Sequence, residues 1–274
     1  MKFTNRLMAI AAITALCAGF AACSDDDDNK KDDPNNPDSP TEQPGAVDPN
    51  LVFNQGMPTN VNGAAVSKDK EGRVTQIKGN GETVTFEYVN GSRAFDYNVI
   101  MTVKDDYNTR DYETLYIRLN AMGFAAEVQE TESDSRDVET WRFSYDANGY
   151  LTKMYRSEGG GEETTLTWTA GNVTAVRKVE KNDRETDNCV ITYGTDKNIG
   201  SVMLYDECLG VDMDEMAMAY YAGMLGKATV NLPVKNVEGL DTETFSWTLD
   251  ANGYPSRMDA TENGRPSQPI YFTW

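Results

Sequence analysis

Apolar and polar residues alternate along most of the chain after residue 50. Apolar side chains occupy every second position in four short runs, 84–88, 141–145, 245–249 and 270–274. A period of two with one apolar face is typical of half-buried antiparallel strands. The same pattern predicts further strands at 73–79, 97–104, 112–118, 124–131, 150–157, 163–169, 172–180 and 188–194. We therefore predict a mainly β domain, in which a long antiparallel up-and-down meander forms a strongly curved sheet or a barrel-like fold.

Four turns of one type connect the predicted strands. Each begins with Asp or Asn and closes with Gly, in the pairs Asp69 and Gly72, Asn120 and Gly123, Asp146 and Gly149, and Asp250 and Gly253. The first side chain accepts hydrogen bonds from the backbone that follows, and the glycine takes the left-handed conformation that closes a bulged hairpin. We expect positive φ angles at Gly149 and Gly253.

Two of these turns also match the start of a calcium-binding loop. Such a loop requires a glutamate at its twelfth position, where this chain has Ser157 and Thr261. Hairpin turns therefore explain the Asp-Ala-Asn-Gly sequences, and we predict no metal site.

One segment, 212–226, breaks the alternation because it is rich in Met and Ala. Asp212 can cap the start of a helix there, and Gly226 can end it. We predict one helix near 212–226 that packs onto the sheet or plugs its open end; an adaptable methionine-rich binding surface is the alternative. One face of this helix would carry Met213, Met216, Tyr220 and Met224.

The first 22 residues have the pattern of an export signal. Lys2 and Arg6 precede an apolar run that is shorter than the roughly 20 residues of a membrane span and ends in small residues. The residues Leu-Cys-Ala-Gly-Phe-Ala-Ala-Cys, ending at Cys23, resemble the lipobox of a bacterial lipoprotein precursor. The resemblance implies cleavage before Cys23 and acylation of this cysteine. An ordinary signal peptide, with Cys23 as a bystander, is the alternative.

Ser24 and the four aspartates that follow resemble the surface-export signal of Bacteroides-group lipoproteins. This implies an outer-membrane lipoprotein exposed at the cell surface; the alternative is a solvated spacer on a periplasmic protein. Residues 24–50 contain five of the ten prolines and nine acidic residues. Such a composition predicts that 23–50 is a disordered tether and that 51–274 forms a single β-rich domain.

The chain is strongly acidic, with a net charge of −19. Without the basic residues of the signal and the charges of the tether, the domain keeps 21 basic and 35 acidic residues, a net charge of −14. This balance excludes nucleic acid as a partner and favours neutral or cationic partners. We expect a monomer that contacts the membrane only through its lipid.

The sequence contains no histidine, which excludes Ser-His-Asp catalysis and histidine-ligated metals. The domain has two cysteines, Cys189 and Cys208, which either form a disulfide or remain a buried free pair. These two thiols are too few for a structural zinc site, and phosphate-binding loops are absent from the sequence. We predict no cofactor.

The order of motifs resembles an uncharacterised Bacteroides-group lipoprotein family, described as a domain of unknown function with a porin-like β fold. The lipobox, acidic tether, Asp-x-Asn-Gly-Tyr hairpins, the 220–227 segment, the step at 231–233 and the terminal aromatic strand carry this resemblance. The hairpins are also distantly similar to the tyrosine–aspartate repeats of large bacterial surface proteins. The resemblance implies a fold and a cellular location, and it implies no catalytic residues.

Two function classes fit these observations. The first is a non-enzymatic surface module that binds a glycan, a peptide or a protein, or acts as a scaffold. The second is a carboxylate-dependent hydrolase such as a glycosidase, which needs only two suitably spaced acids. We expect binding without turnover and name no catalytic residue. An integral outer-membrane barrel is disfavoured, because the apolar runs are too short for a lipid-facing band.

Overall fold

The structure, a computed structural model, describes residues 44–89, 97–180 and 186–274. The predicted signal peptide, the predicted acylation site Cys23 and the predicted tether as far as residue 43 lie outside these residues. Every described residue belongs to one folded unit, Glu42–Trp274. No helix in the described part of the chain is long and apolar enough to cross a membrane.

The described residues form seventeen antiparallel strands. In chain order, β1 to β17 are Asn60–Val61, Ala64–Lys68, Val74–Gly79, Glu82–Tyr88, Val99–Asp105, Tyr112–Leu119, Ala125–Glu132, Val138–Tyr145, Leu151–Arg156, Glu162–Thr169, Asn172–Glu180, Thr186–Lys197, Asn231–Glu238, Asp241–Leu249, Pro255–Glu262, Arg265–Pro266 and Ile270–Thr273. Each strand from β1 to β15 pairs with the next strand along the chain in simple meander order, and β17 pairs with β15 and β1. The two-residue β16 pairs only with β15, so the other sixteen strands close into a barrel. This confirms the predicted fold class.

Successive hairpins place their turns alternately at the two ends of the barrel. All four Asp/Asn-to-Gly turns fall at one end, which we call the turn end. The described chain also enters the fold at this end, because the backbone N–H of Gly45 donates to the carbonyl of Asn120 at 2.8 Å. The last strand, β17, ends there as well.

The four turns share one hydrogen-bond pattern. In the turn that starts at Asp146, Oδ1 accepts from the backbone N–H groups of Asn148 and Tyr150, both at 2.9 Å. Asp69, Asn120 and Asp250 make the same two bonds. The closing glycines have φ angles of 82° to 87°, the left-handed conformation that a side chain would strain.

Alternation along each strand separates an apolar interior from a polar exterior. On β6, Leu115 and Ile117 point inward and are 0% exposed. Arg118, one residue further, points outward and forms an ion pair with Glu127 of β7. The exposed positions of β14 are all polar: Asp241, Thr244, Ser246 and Thr248. The core therefore lies inside the barrel.

Residues 198–230, which join β12 to β13, enter the interior from the turn end and pack inside the barrel; we call this segment the plug. Contacts with several sides of the wall show its position. Tyr145 of β8 donates its hydroxyl to the carbonyl of Met224 at 3.3 Å. Asn236 of β13 donates to the carbonyl of Cys208 at 3.2 Å, and the sulfur of Cys208 lies 3.4 Å from that of Met258 on β15.

The plug contains the predicted helix in a shorter form. A 3-10 turn, Asp214–Met216, leads into the helix Ala217–Tyr221, and a separate helical turn covers Tyr205–Cys208. The predicted extent of 212–226 was too long, because the backbone turns left-handed at Asp214 (φ 44°) and Gly223 (φ 84°). The four residues predicted to share a face, Met213, Met216, Tyr220 and Met224, are at most 1% exposed. Core packing is therefore their role.

The fold begins earlier than the predicted boundary at Leu51. Pro49 is buried, and the short 3-10 helix Pro49–Leu51 packs beside the plug. Further on, Ser201 of the plug donates to the carbonyl of Val52 at 2.8 Å. Residues 44–50 pack closely against the rest of the fold at glycines, where the two backbones approach each other. At Gly45, for example, an added Cβ would lie 2.4 Å from the carbonyl oxygen of Ala121. Composition did not reveal this attachment, because it buries few apolar side chains.

The two domain cysteines are free thiols. Cys189 on β12 and Cys208 in the plug are both buried. Burial raises the pKa of Cys189 to about 11 and that of Cys208 well above its ordinary value. Both thiols therefore stay protonated at neutral pH, which makes them poor nucleophiles.

Candidate functional site

Acidic side chains line the interior at the end opposite the turn end, which we call the acidic end. They belong to strands β4 to β10: Glu82, Asp105, Glu113, Glu130, Glu132, Glu139 and Glu162. The register places acids directly opposite acids in three cross-strand pairs, Glu82 with Asp105, Glu113 with Glu132, and Glu130 with Glu139. Like charges in such positions destabilise a sheet.

The plug adds a further carboxyl group to this lining. Carboxylate oxygens of Glu113, Glu130 and Glu215 all lie within 4.8 Å of one another, and we call these residues the carboxyl triad. Glu130 is 3% exposed and accepts a hydrogen bond from the indole nitrogen of Trp141 at 2.7 Å. Oε2 of Glu113 is buried and has no hydrogen-bond partner among the described residues.

Burial and mutual repulsion keep protons on the triad. Burial, with the charge of Glu130 second, raises the pKa of Glu113 to about 8. Burial raises the pKa of Glu130 to about 7, although the bond from Trp141 opposes the shift. Burial and the charge of Glu113 raise the pKa of Glu215 to about 10. At neutral pH the triad therefore carries fewer than three charges.

Arg156, the last residue of β9, supplies positive charge beside the triad. Its guanidinium lies 3.3 Å from Glu139, 2.7 Å from Glu158 and 2.8 Å from Asp214 of the plug. It also lies 4.5 Å from the centroid of the Trp141 ring, within the range of a cation–π contact. Arg156 therefore joins the plug to the wall.

The geometry of the triad suits proton sharing better than hydrolysis. A retaining glycosidase holds its two carboxyl groups about 5–5.5 Å apart and keeps one of them ionised as the nucleophile. Here the pKa values of all three carboxyl groups are raised, so the triad lacks a carboxylate that its surroundings keep fully ionised at neutral pH. The distances between the three carboxyl groups would also suit a bound cation. No other feature of the described residues indicates a cation there, and we assign no metal ligand.

The residues singled out in the sequence lie elsewhere. The four turns form the turn end and have a structural role there, while Cys189 and Cys208 are buried in the core. Among the described residues, the exposed aromatic side chains are Tyr107, Tyr112 and Tyr271, and no tryptophan is exposed. In the described part of the chain, the exposed rings on which a sugar could stack are therefore these three tyrosines.

The sequence did contain a signal for the acidic end. Glu139 stands in the same alternation phase as Trp141, Phe143 and Tyr145, and Glu113 stands in phase with Leu115. A charged residue in the inward phase of a strand must face the interior. The sequence could not show which of these acids meet, because the register and the path of the plug decide that.

The fold defines a class: a closed barrel of sixteen meander strands with an internal plug. The family model for a domain of unknown function (DUF4595) with porin-like fold matches residues 66–257. The chain belongs to this family, which confirms the resemblance stated from its motifs.

Solved structures share the fold. A porin-like protein from Bacteroides uniformis is 19% identical, with a TM-score of 0.56 over 77% of this chain and 88% of that chain. A porin-like protein from Bacteroides vulgatus is 12% identical, with a TM-score of 0.55 over 80% of this chain and 98% of that chain. At these identities the similarity shows the fold alone. No curated protein matches the chain.

Proposed function

We propose that the protein is a lipid-anchored, non-enzymatic binding module of the cell surface, whose acidic end takes a positively charged ligand such as a basic peptide segment. The observation that carries this proposal is the set of acids placed directly opposite acids at that end. Such an arrangement costs stability, and strongly perturbed acids cluster at functional sites.

Access supports the choice of this end. The side chains of Glu139 and Glu162 are 22% and 21% exposed, so solvent reaches them. The turn end is occupied by the body of the plug and by the chain that enters at residue 44, whereas the acidic end receives the plug around Asp214 and Glu215. The tether toward Cys23 therefore joins the domain at the turn end, and the acidic end remains available to a ligand.

The outer wall supports a lipid anchor rather than an embedded barrel. A lipid-facing wall requires apolar residues at its outward positions. Outward positions here carry the exposed residues Lys104, Arg142 and Lys153, each within a strand. We infer that acyl chains on Cys23 hold the protein at the membrane.

A binding measurement with matched charge variants tests the ligand class. We expect the mature protein to bind an oligolysine peptide, with weaker binding as salt increases and no binding of an oligoglutamate of equal length. Glu132→Gln with Glu162→Gln should weaken binding on the order of three- to tenfold, because two attractive charges are lost.

The control pair is Glu127→Gln with Glu163→Gln, which removes the same charge from the outward side of the same two strands, β7 and β10. These variants should bind almost as the unmodified protein does. Equal weakening by both pairs would show that the net charge alone attracts the peptide. Release of sugars from polysaccharides, if a single Asp or Glu substitution abolishes it, would favour the hydrolase alternative.

A second experiment tests the anchor. Cys23→Ala should abolish incorporation of a fatty-acid probe and release the protein from the membrane fraction, because the thiol that would be acylated is lost. Cys17→Ala, within the predicted signal, is the matched control and should leave labelling intact. Probe incorporation that survives Cys23→Ala is incompatible with the lipoprotein proposal.

A further inference from the structure

The tip of the plug meets the wall through charged groups. The 3-10 turn Asp214–Met216 places Asp214 2.8 Å from Arg156, and it places Glu215 in the carboxyl triad. Met216 is 0% exposed, so the turn is seated against the wall. These contacts join the tip to β6, β7 and β9.

The backbone of the tip depends on these contacts. Asp214 has a φ angle of 44°, a left-handed conformation that few non-glycine residues adopt. Conformations of this kind persist where the surroundings hold them in place. Loss of the contacts with the wall would therefore let the tip rearrange.

We propose that the plug tip, Asp214–Met216, is a proton-controlled latch, docked against the wall while the carboxyl triad retains protons and released when the triad ionises.

The charges of Glu113 from β6, Glu130 from β7 and Asp214 in the tip act on Glu215. A second layer of acids lies behind these groups. Glu132 stands opposite Glu113 and Glu139 stands opposite Glu130 in the strand register, and Glu158, which follows β9, is an ion-pair partner of Arg156. Arg156 is the cation among these groups, and its guanidinium is shared by Glu139, Glu158 and Asp214. The charge of Arg156 favours ionised Glu130, but this guanidinium already has three acidic partners. Ionisation of the whole triad therefore adds repulsion that one arginine offsets only in part.

The direction of the pH effect follows from proton linkage. The docked tip holds the triad protons to higher pH than free carboxyl groups do, which lose them near pH 4.5. The docked state therefore binds more protons over the window from about 4.5 to the raised pKa values of about 7 to 10. Docking weakens as pH rises through this window, by up to about tenfold per pH unit for each proton concerned.

Hydrogen exchange measured on the intact mature protein in EDTA tests the latch. The amide of Ala217 donates to Asp214 and Glu215 and reports on the tip, while the amide of Lys227 donates to Gly149 at 2.9 Å and reports on the turn end. After correction for intrinsic rates, protection at Ala217 should fall at least tenfold between pH 6 and pH 8.5. Protection at Lys227 should remain constant.

Glu215→Gln should remove most of this pH dependence, because the tip then carries no titrating carboxyl group in the triad. Glu113→Gln changes the wall and not the plug, and it should also reduce the pH dependence of protection at Ala217. This variant replaces Glu215→Gln as the test if Glu215→Gln fails to fold. Glu163→Gln on the outer wall should leave the dependence unchanged. Two results would overturn the latch. One is protection at Ala217 that does not change with pH in the unmodified protein. The other is a fall in this protection in Glu215→Gln and Glu113→Gln that equals the fall in the unmodified protein.

Discussion

Tyr220→Ala is expected to lower the free energy of unfolding by about 3–5 kcal/mol, the usual cost of removing a large buried ring. Tyr220 is 1% exposed at the centre of the plug. Its ring lies 5.6 Å from that of Phe53, 5.9 Å from that of Tyr205 and 5.6 Å from that of Tyr221. Its removal would leave a cavity where the entering chain meets the plug. Denaturant unfolding, followed by fluorescence, measures the change.

Two variants separate the ring from its hydroxyl and from the surface. Tyr220→Phe should cost about 1 kcal/mol, because only the 3.0 Å hydrogen bond to the carbonyl of Ser201 is lost. Tyr107→Ala, at a ring that is 89% exposed, should change stability by less than about 0.5 kcal/mol. A Tyr220→Ala variant as stable as Tyr220→Phe would mean that the plug does not form part of the core.

Gly149→Ala should destabilise the protein by about 2–3 kcal/mol, because two costs add at this turn. The φ angle of 85° strains any side chain, and a new Cβ would lie 2.9 Å from the ring of Phe124. Thermal and denaturant unfolding would measure the loss.

Gly72→Ala is the matched control for this turn. Gly72 has almost the same φ angle, 84°, but a Cβ there would meet nothing within 4 Å. It should therefore show the conformational cost alone, about 1 kcal/mol. If the two variants are equally destabilised, Phe124 yields without cost and the clash contributes nothing.

Local regularity made much of the fold predictable. Strands such as β6 and β11 were predicted within a residue. In β6 the apolar residues Leu115, Ile117 and Leu119 alternate without a break. In β11 the valines mark the strand, although its buried positions, Val173 and Val176, lie three residues apart. The strands β2, β13 and β15 were missed, together with the two-residue strands β1 and β16. Both β13 and β15 begin near a proline, Pro233 and Pro255, and β13 mixes Lys and Asn with its apolar residues. A register shift near Pro233 disturbs the alternation further.

The plug was predictable only in part. Its composition indicated a buried helical segment, and its methionines are in the core. The length of the helix was wrong, because the segment must turn back inside a closed barrel, and Asp214 and Gly223 provide those turns with positive φ angles. Helix propensity alone does not include this constraint.

The sequence by itself determined the mainly β meander, the four Asp/Asn-to-Gly turns and the acidic charge, because each depends on residues near one another in the chain. Only the tertiary structure decided that the strands close into a barrel, that the plug lies within it, and that Glu113, Glu130 and Glu215 meet. These three residues come from β6, β7 and the plug, so their meeting depends on strand register and on the plug's path. Neither property can be read from a local pattern, because both arise from packing between distant parts of the chain.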